Sequence, residues 1–235
     1  MLTLVKDNPL VRINGLTKEF KNVTALDNIT IDFPKGEIIG LLGENGSGKT
    51  TLLKILAGLY MEYDGVVEID GDKPSHITKA KVSYLPDKVS FANEKTPAEV
   101  MEFYSTYFDD FSEEKCRTLL QRFGLQADKP FKEMSKGMVE KVQLSLVMAR
   151  KARLYLLDEP IGGVDGNARE VVMDAIIDNF DSESSIIVVT HQIHEMERLF
   201  DRVVVLKEGR IVGSGICEEL IEKYGKSLEE IVRGM

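Results

Sequence analysis

The sequence predicts an α/β fold: a parallel-sheet core with an inserted helical subdomain and a small helical tail. Three observations predict it. Short apolar runs rich in β-branched residues alternate with helical patterns through much of the chain. A glycine-rich segment, Gly43 to Thr50, separates one such run from a helical pattern. Between Thr96 and Met148 the strand signals give way to helical ones.

Taken in order, Val11 to Asn14, Ile29 to Phe33 and Ile38 to Leu42 read as strands, with Pro34-Lys35-Gly36 turning the chain between the last two. Leu52 to Leu59 reads as a helix after the glycine-rich loop, and Val66 to Ile69 and Val82 to Leu85 as further strands. After Pro86 the composition shifts. Thr96-Pro97-Ala98-Glu99 has the form of a helix start, with Thr96 as N-cap, Pro97 at the first position and Glu99 at the third. Ser112-Glu113-Glu114-Lys115 opens another helix. A third, from about Gly137 to Arg150, puts Val139, Val142, Leu146 and Ala149 on one face. Phe91, Phe103, Tyr104, Tyr107, Phe108 and Phe111 crowd this stretch. They suit the core of a small helical subdomain, or a docking surface for a partner helix. Strands resume at Leu154 to Leu157, Ile186 to Thr190, Val203 to Leu206 and Ile211 to Gly213, and Glu218 to Met235 reads as two short amphipathic helices. The expected division is an α/β core over 1–86 and 152–213, a helical subdomain over 87–151 and a helical tail over 214–235.

Composition narrows the function classes. The 235 residues are 43% hydrophobic, enough for a buried core, and 29% charged without long biased runs, which argues against disorder. A formal net charge of −9 repels phosphate backbones at long range, so nucleic acid is not an expected partner. Cys116 and Cys217 lie far apart in sequence and read as two reduced thiols. No stretch reaches the ~20 apolar residues that span a bilayer. No signal-peptide pattern opens the sequence, so a cytoplasmic chain is expected.

The chemistry centres on two motifs. Gly43-Glu44-Asn45-Gly46-Ser47-Gly48-Lys49-Thr50 matches the P-loop pattern. Its glycines let successive backbone N–H groups face phosphate oxygens, and the helix that follows adds a favourable dipole. Lys49 is placed to reach the β- and γ-phosphates, Thr50 to ligate Mg²⁺, and Thr51 to join the same site. Leu154 to Leu157 followed by Asp158-Glu159-Pro160 is an apolar strand ending in two carboxylates. Asp158 suits a Mg²⁺ site and Glu159 a general base for the attacking water.

This combination resembles the ATP-binding subunit of an ABC (ATP-binding cassette) transporter over essentially the whole chain, with the motifs in the family's order. The resemblance implies a RecA-like P-loop NTPase fold, its parallel-sheet core joined by an N-terminal antiparallel β-subdomain and a helical subdomain insertion, and an ATPase that uses ATP and Mg²⁺. It also implies a second ATP-binding subunit, in a homo- or heterodimer around two ATP, and integral membrane permease subunits that hold the chain on the cytoplasmic face. Met134-Ser135-Lys136-Gly137-Met138 occupies the signature, usually Leu-Ser-Gly-Gly-Gln. By resemblance Ser135, Lys136, Gly137 and Met138 meet the nucleotide of the opposite subunit. From its position alone, Ser135 reads equally as the cap of its own helix. Lys136 adds positive charge to the motif and Met138 removes an amide. His191 matches the switch histidine, Asp165 the dimer-communication residue of the D-loop, and Phe20 the aromatic that stacks on adenine. Asp87 stands where the family's Q-loop has Gln; it can meet Mg²⁺ or its waters but cannot donate as an amide does. The Ser-Lys-Gly-Met form resembles bacterial ABC-2 exporters, which implies export of a drug, antibiotic or peptide. A soluble ABC ATPase outside transport, another P-loop class and an ATP-gated interaction module are the competing readings. The sequence lacks the Asn-Lys-x-Asp motif that reads guanine.

Overall fold

The computed structural model describes residues 9–88, 91–164 and 166–235. Two sheets organise the chain. The smaller is antiparallel in the order β2-β1-β4, built from β1 (Val11–Phe20), β2 (Val23–Phe33) and β4 (Asp64–Ile69). The larger has six strands in the order β5-β6-β7-β3-β8-β9: β5 (Val82–Leu85), β6 (Leu154–Asp158), β7 (Ser185–Val189), β3 (Ile38–Leu42), β8 (Arg202–Lys207) and β9 (Arg210–Ile216). The first five run parallel, the core the sequence predicts, and β9 adds an antiparallel strand at the edge.

The parallel strands are buried on both faces, which is why they read as unbroken apolar runs. Their two-residue period sorts side chains between two cores. Ile38, Leu42, Tyr155, Leu157, Ile186 and Val188 enter one; Ile39, Leu41, Leu154, Leu156, Ile187 and Val189 enter the other. Strands β1, β2 and β9 run well beyond the ranges the sequence suggested. In β1 the ladder with β2 slips between Ile13 and Leu16, around Gly15 at φ 64°, and the apolar alternation lapses there while pairing continues.

The helices are α1 (Lys49–Leu56), α2 (His76–Lys81), α3 (Pro97–Tyr107), α4 (Glu113–Arg122), α5 (Lys136–Met148), α6 (Gly166–Asn179), α7 (Ile193–Met196), α8 (Cys217–Tyr224) and α9 (Leu228–Arg233). The expected caps form. Thr96 and Glu99 make a reciprocal capping box on α3, and the Ser112 hydroxyl accepts from Lys115 N on α4. Helix α1 starts three residues before the expected Leu52, because its first turn, Lys49-Thr50-Thr51, is polar and carries no apolar period.

Met101, Cys116, Leu120, Leu125, Phe131, Val142, Leu146 and Ala149 form a third core among α3, α4 and α5. The crowded aromatics divide. Phe91, Tyr104 and Phe111 pack against this core, whereas Phe103 and Tyr107, one turn apart with ring centroids 4.4 Å from each other, stay 55% and 67% exposed. Arg150, just past α5, ties this helical region to the sheet. Its guanidinium donates to Val82 O at 2.7 Å and Ala80 O at 2.5 Å, pairs with Asp110 at 2.9 Å and lies 3.9 Å from the Phe108 ring centroid.

Candidate nucleotide site

The glycine-rich loop leaves β3 and enters α1, at the end of the central strand. Two glycines are sterically required. A Cβ on Gly43, at φ 143°, would lie 2.1 Å from Leu206 O, and one on Gly48, at φ 107°, would lie 2.5 Å from Ala25 O. Lys49 is 5% exposed and donates to Gly43 O at 2.8 Å and Glu44 O at 2.7 Å, with Ser47 Oγ at 3.5 Å. Burial lowers its pKa, and the nearby Glu159 and Asp158 charges oppose that shift.

A cavity of about 440 Å³ opens over the loop. Asn45, Gly46, Gly48, Lys49, Thr50 and Thr51 line it from the loop and α1; Asp158, Glu159, Val189 and His191 line it from the ends of β6 and β7; Asp87 closes one side. The sheet brings these groups together because β6 and β7 are adjacent and in register, with Asp158 opposite Val189. Gly43 and Ser47 support the loop from behind this wall rather than lining it.

The two carboxylates differ. Asp158 is 3% exposed and accepts from the Thr50 hydroxyl at 2.9 Å. Burial raises its pKa, the Thr50 bond and the Lys49 charge hold it down, and Asp87 adds a like charge that raises it. Glu159 follows at φ 56°, a left-handed conformation that costs a non-glycine residue on the order of 1 kcal/mol. Its N–H donates to Val189 O at 2.8 Å. Its Oε2 accepts from His191 N at 3.3 Å, and its Oε1 lies 3.4 Å from His191 Nε2 and is otherwise buried without a hydrogen bond. Burial raises the Glu159 pKa, and the facing His191 pulls against it. A buried carboxylate with a raised pKa and one unsatisfied oxygen is suited to take a proton from water.

Thr50, Asp158 and Asp87 offer only oxygen donors, which suit a hard cation. Among the described residues no cluster of three or more His, Cys, Asp or Glu forms a cage. That fits Mg²⁺, which is held by one or two side chains together with phosphates and waters.

The signature segment sits apart. Ser135 is exposed and caps α5, its Oγ accepting from Met138 N at 3.3 Å. Neither Ser135, Gly137 nor Met138 lines the cavity over the loop. Lys136 is 86% exposed, lies 3.4 Å from Glu140 Oε1, and borders a neighbouring cavity of about 290 Å³ that shares Asp87, Asp158, Glu159 and His191 with the first. Gly137 and Gly163 nearly touch: a Cβ on Gly137 would lie 3.0 Å from Gly163 O. Asp165 lies outside the described residues.

Phe20 ends β1, 38% exposed, with its ring edge-on to Tyr60 at 5.3 Å and the Lys18 ammonium 4.8 Å from its centroid. Its neighbours across the hairpin, Val23, Thr24 and Ala25, line the cavity wall. These three were not singled out from the sequence, and neither was Gln143, which borders the smaller cavity. Val23 to Ala25 are small and carry no motif. Gln143 had one visible signal, a lone amide within the apolar stretch Val142 to Met148.

The description "ABC transporter" belongs to the family profile that matches residues 26–162. An ABC transporter ATP-binding protein of Methanocaldococcus jannaschii is 34% identical, over 92% of this chain and 80% of its own length. A solved ATP-binding subunit of an ABC transporter aligns with a TM-score of 0.85 at 26% identity, covering 94% of this chain and 97% of that one. A cassette solved as a post-hydrolysis dimer with ADP and Pi shares the fold, with a TM-score of 0.78 at 23% identity over 88% of this chain and 98% of that one. Relatives at 28% identity differ in transport direction. One is a xylose import ATP-binding protein of Geobacillus kaustophilus, over 94% of this chain and 48% of its own. Another is a Nod factor export ATP-binding protein of Ralstonia nicotianae, over 92% and 70%. With the loop, the paired carboxylates and the histidine joined around one cavity, the chain belongs to the ABC transporter ATP-binding family and is an ABC-type ATPase domain.

Proposed function

We propose that the chain works as one half of a head-to-tail dimer that closes around two ATP molecules and powers a membrane permease, in the direction of export of a drug, antibiotic or peptide. The observation that carries this reading is the placement of Ser135, Lys136, Gly137 and Met138. They form the N-terminus of a 13-residue helix, with Ser135 and Lys136 exposed and Gly137 and Met138 half-buried, and Ser135, Gly137 and Met138 stand outside the cavity of their own chain. A helix N-terminus with an adjacent ammonium suits an anion brought by a second subunit. ATP then favours the closed dimer because only there does it touch both faces. Asp165 communicates between the halves. The relative solved as a dimer and the relatives named for transport support the assembly. No helix among the described residues is long and apolar enough to cross a membrane. In this reading the permease holds the chain at the cytoplasmic face.

Within each half, Lys49 exchanges loop carbonyls for phosphate oxygens. Phe20 stacks on adenine beside the wall made by Val23 to Ala25. Thr50 and Asp158, with Asp87 at the bound waters, would hold Mg²⁺, which would neutralise phosphate charge. Glu159 accepts the proton of the attacking water. The His191 backbone N–H holds one oxygen of that carboxylate, the imidazole faces the other, and the imidazole would also meet the γ-phosphate.

The test is size-exclusion chromatography of Glu159→Gln with ATP and Mg²⁺. A shift from monomer to dimer that Ser135→Arg abolishes is expected; a monomer under all conditions sinks the dimer reading. Co-purification of a hydrophobic membrane protein from native membranes supports transport, and its absence favours an ABC ATPase that acts away from the membrane.

A further inference from the structure

We propose that Gln143 is a positioning residue of the nucleotide site, its side-chain amide holding the water shell of the cation bound between Thr50, Asp158 and Asp87. This rests on the ATP–Mg²⁺ reading of the site. Gln143 lies on α5 within a run, Val142 to Met148, that is buried throughout, and it is itself only 5% exposed. Among the described residues its amide makes no hydrogen bond, yet its polar atoms are not sealed off. What exposure it keeps faces two cavities. One, of about 290 Å³, holds Asp87, Asp158 and Glu159; the other, of about 510 Å³, holds Thr50, Asp87 and Asp158. The Tyr84 hydroxyl, also buried without a partner, borders the larger one.

A buried amide without a protein partner weakens folding, and such groups persist where they meet water or ligand. Here the chemistry says which. Asp87, Asp158 and Glu159 are acceptors only when ionised, and water bound to a cation presents only donors. Between them an amide does what no carboxylate can. Its Oε1 accepts from a cation-bound water while its Nε2 donates to a carboxylate, and being neutral it adds no charge to repel phosphate. Such outer partners fix the geometry of inner ligands. Asp87, a carboxylate, cannot provide that donor. Gln143 reaches the same space from a different element.

The test compares ADP affinity by calorimetry with saturating Mg²⁺ and with EDTA, which involves no turnover. The wild type should bind ADP more tightly with Mg²⁺. In Gln143→Leu that metal-dependent gain should fall roughly tenfold, the scale of losing an outer-shell partner. The EDTA affinity should stay within about twofold and thermal stability should not fall, because an unpartnered amide has been replaced by a side chain of similar size. An unchanged gain overturns the proposal. So does a parallel loss of both affinities together with stability, which marks a mere packing residue. A wild type indifferent to Mg²⁺ overturns the metal reading itself and this inference with it. Should the leucine variant not fold, Gln143→Met carries the same test: the same roughly tenfold fall in the metal-dependent gain is expected, and an unchanged gain again overturns the role.

Discussion

Replacing Glu159 by Gln should slow ATP hydrolysis and stabilise the nucleotide-free fold at the same time. The rate loss follows from removing a general base, about 10²- to 10⁴-fold. The stability gain follows from the local geometry. Glu159 Oε1 is buried with no hydrogen bond except the facing His191 Nε2 at 3.4 Å, and burial is the largest cause of the raised pKa. A pKa raised on folding means that the ionised carboxylate opposes folding above that pKa, and the opposition vanishes once the pH falls below the ordinary carboxylate range. In the variant, the amide oxygen can keep the bond from His191 N, and the amide nitrogen can face His191 Nε2. Relieving one poorly satisfied buried group is worth about 1 kcal/mol, or roughly 2–4 °C in Tm for a chain of this size. Differential scanning calorimetry across pH 4 to 8, without nucleotide, reads this directly. The variant should melt higher at neutral pH and converge with the wild type on acidification. A variant that melts lower at neutral pH, or a gap that does not close with acid, would refute the reasoning.

Other outcomes follow from the same geometry. Lys49→Ala should weaken ATP binding by more than tenfold, read by equilibrium titration, because the loop loses its buried ammonium. Phe20→Ala should cost roughly tenfold in ATP affinity, the scale of one base–aromatic stack, and leave tripolyphosphate binding unchanged; equal losses for both ligands would remove the stack. Arg150→Met should destabilise the fold by about 2–4 kcal/mol in urea titrations, since two carbonyls and Asp110 lose their donor and the partly exposed Asp110 recovers some of that from water.

Much of this site was legible in sequence because its parts are local. The loop declares itself by glycines, two of which admit no side chain, and Asp158-Glu159 by ending an apolar strand. The caps at Thr96 and Ser112 were readable for the same reason: donor and acceptor lie three residues apart. What escaped depends on pairing across the chain. The β1–β2 hairpin extends through a bulge that interrupts the apolar period, so Val23 to Ala25 gave no sign of reaching the cavity. The antiparallel β9 is an edge strand carrying glycines and serine, with little of the apolar run that marks the interior strands. Phe103 and Tyr107 could not be told from Tyr104 by composition, since only packing decides which face of α3 turns inward.

The Arg150 anchorage also sets a lever. It fastens one end of α5 to the edge strand β5 and leaves Ser135 at the other end. Thirteen helical residues span about 20 Å, so a rigid swing of 10° pivoting at Arg150 carries Ser135 through about 3–4 Å while the pivot stays nearly still. A hydrogen bond tolerates a few tenths of an ångström. An angular change too small to disturb the packing around Arg150 is therefore ample to make or break contact at the far tip.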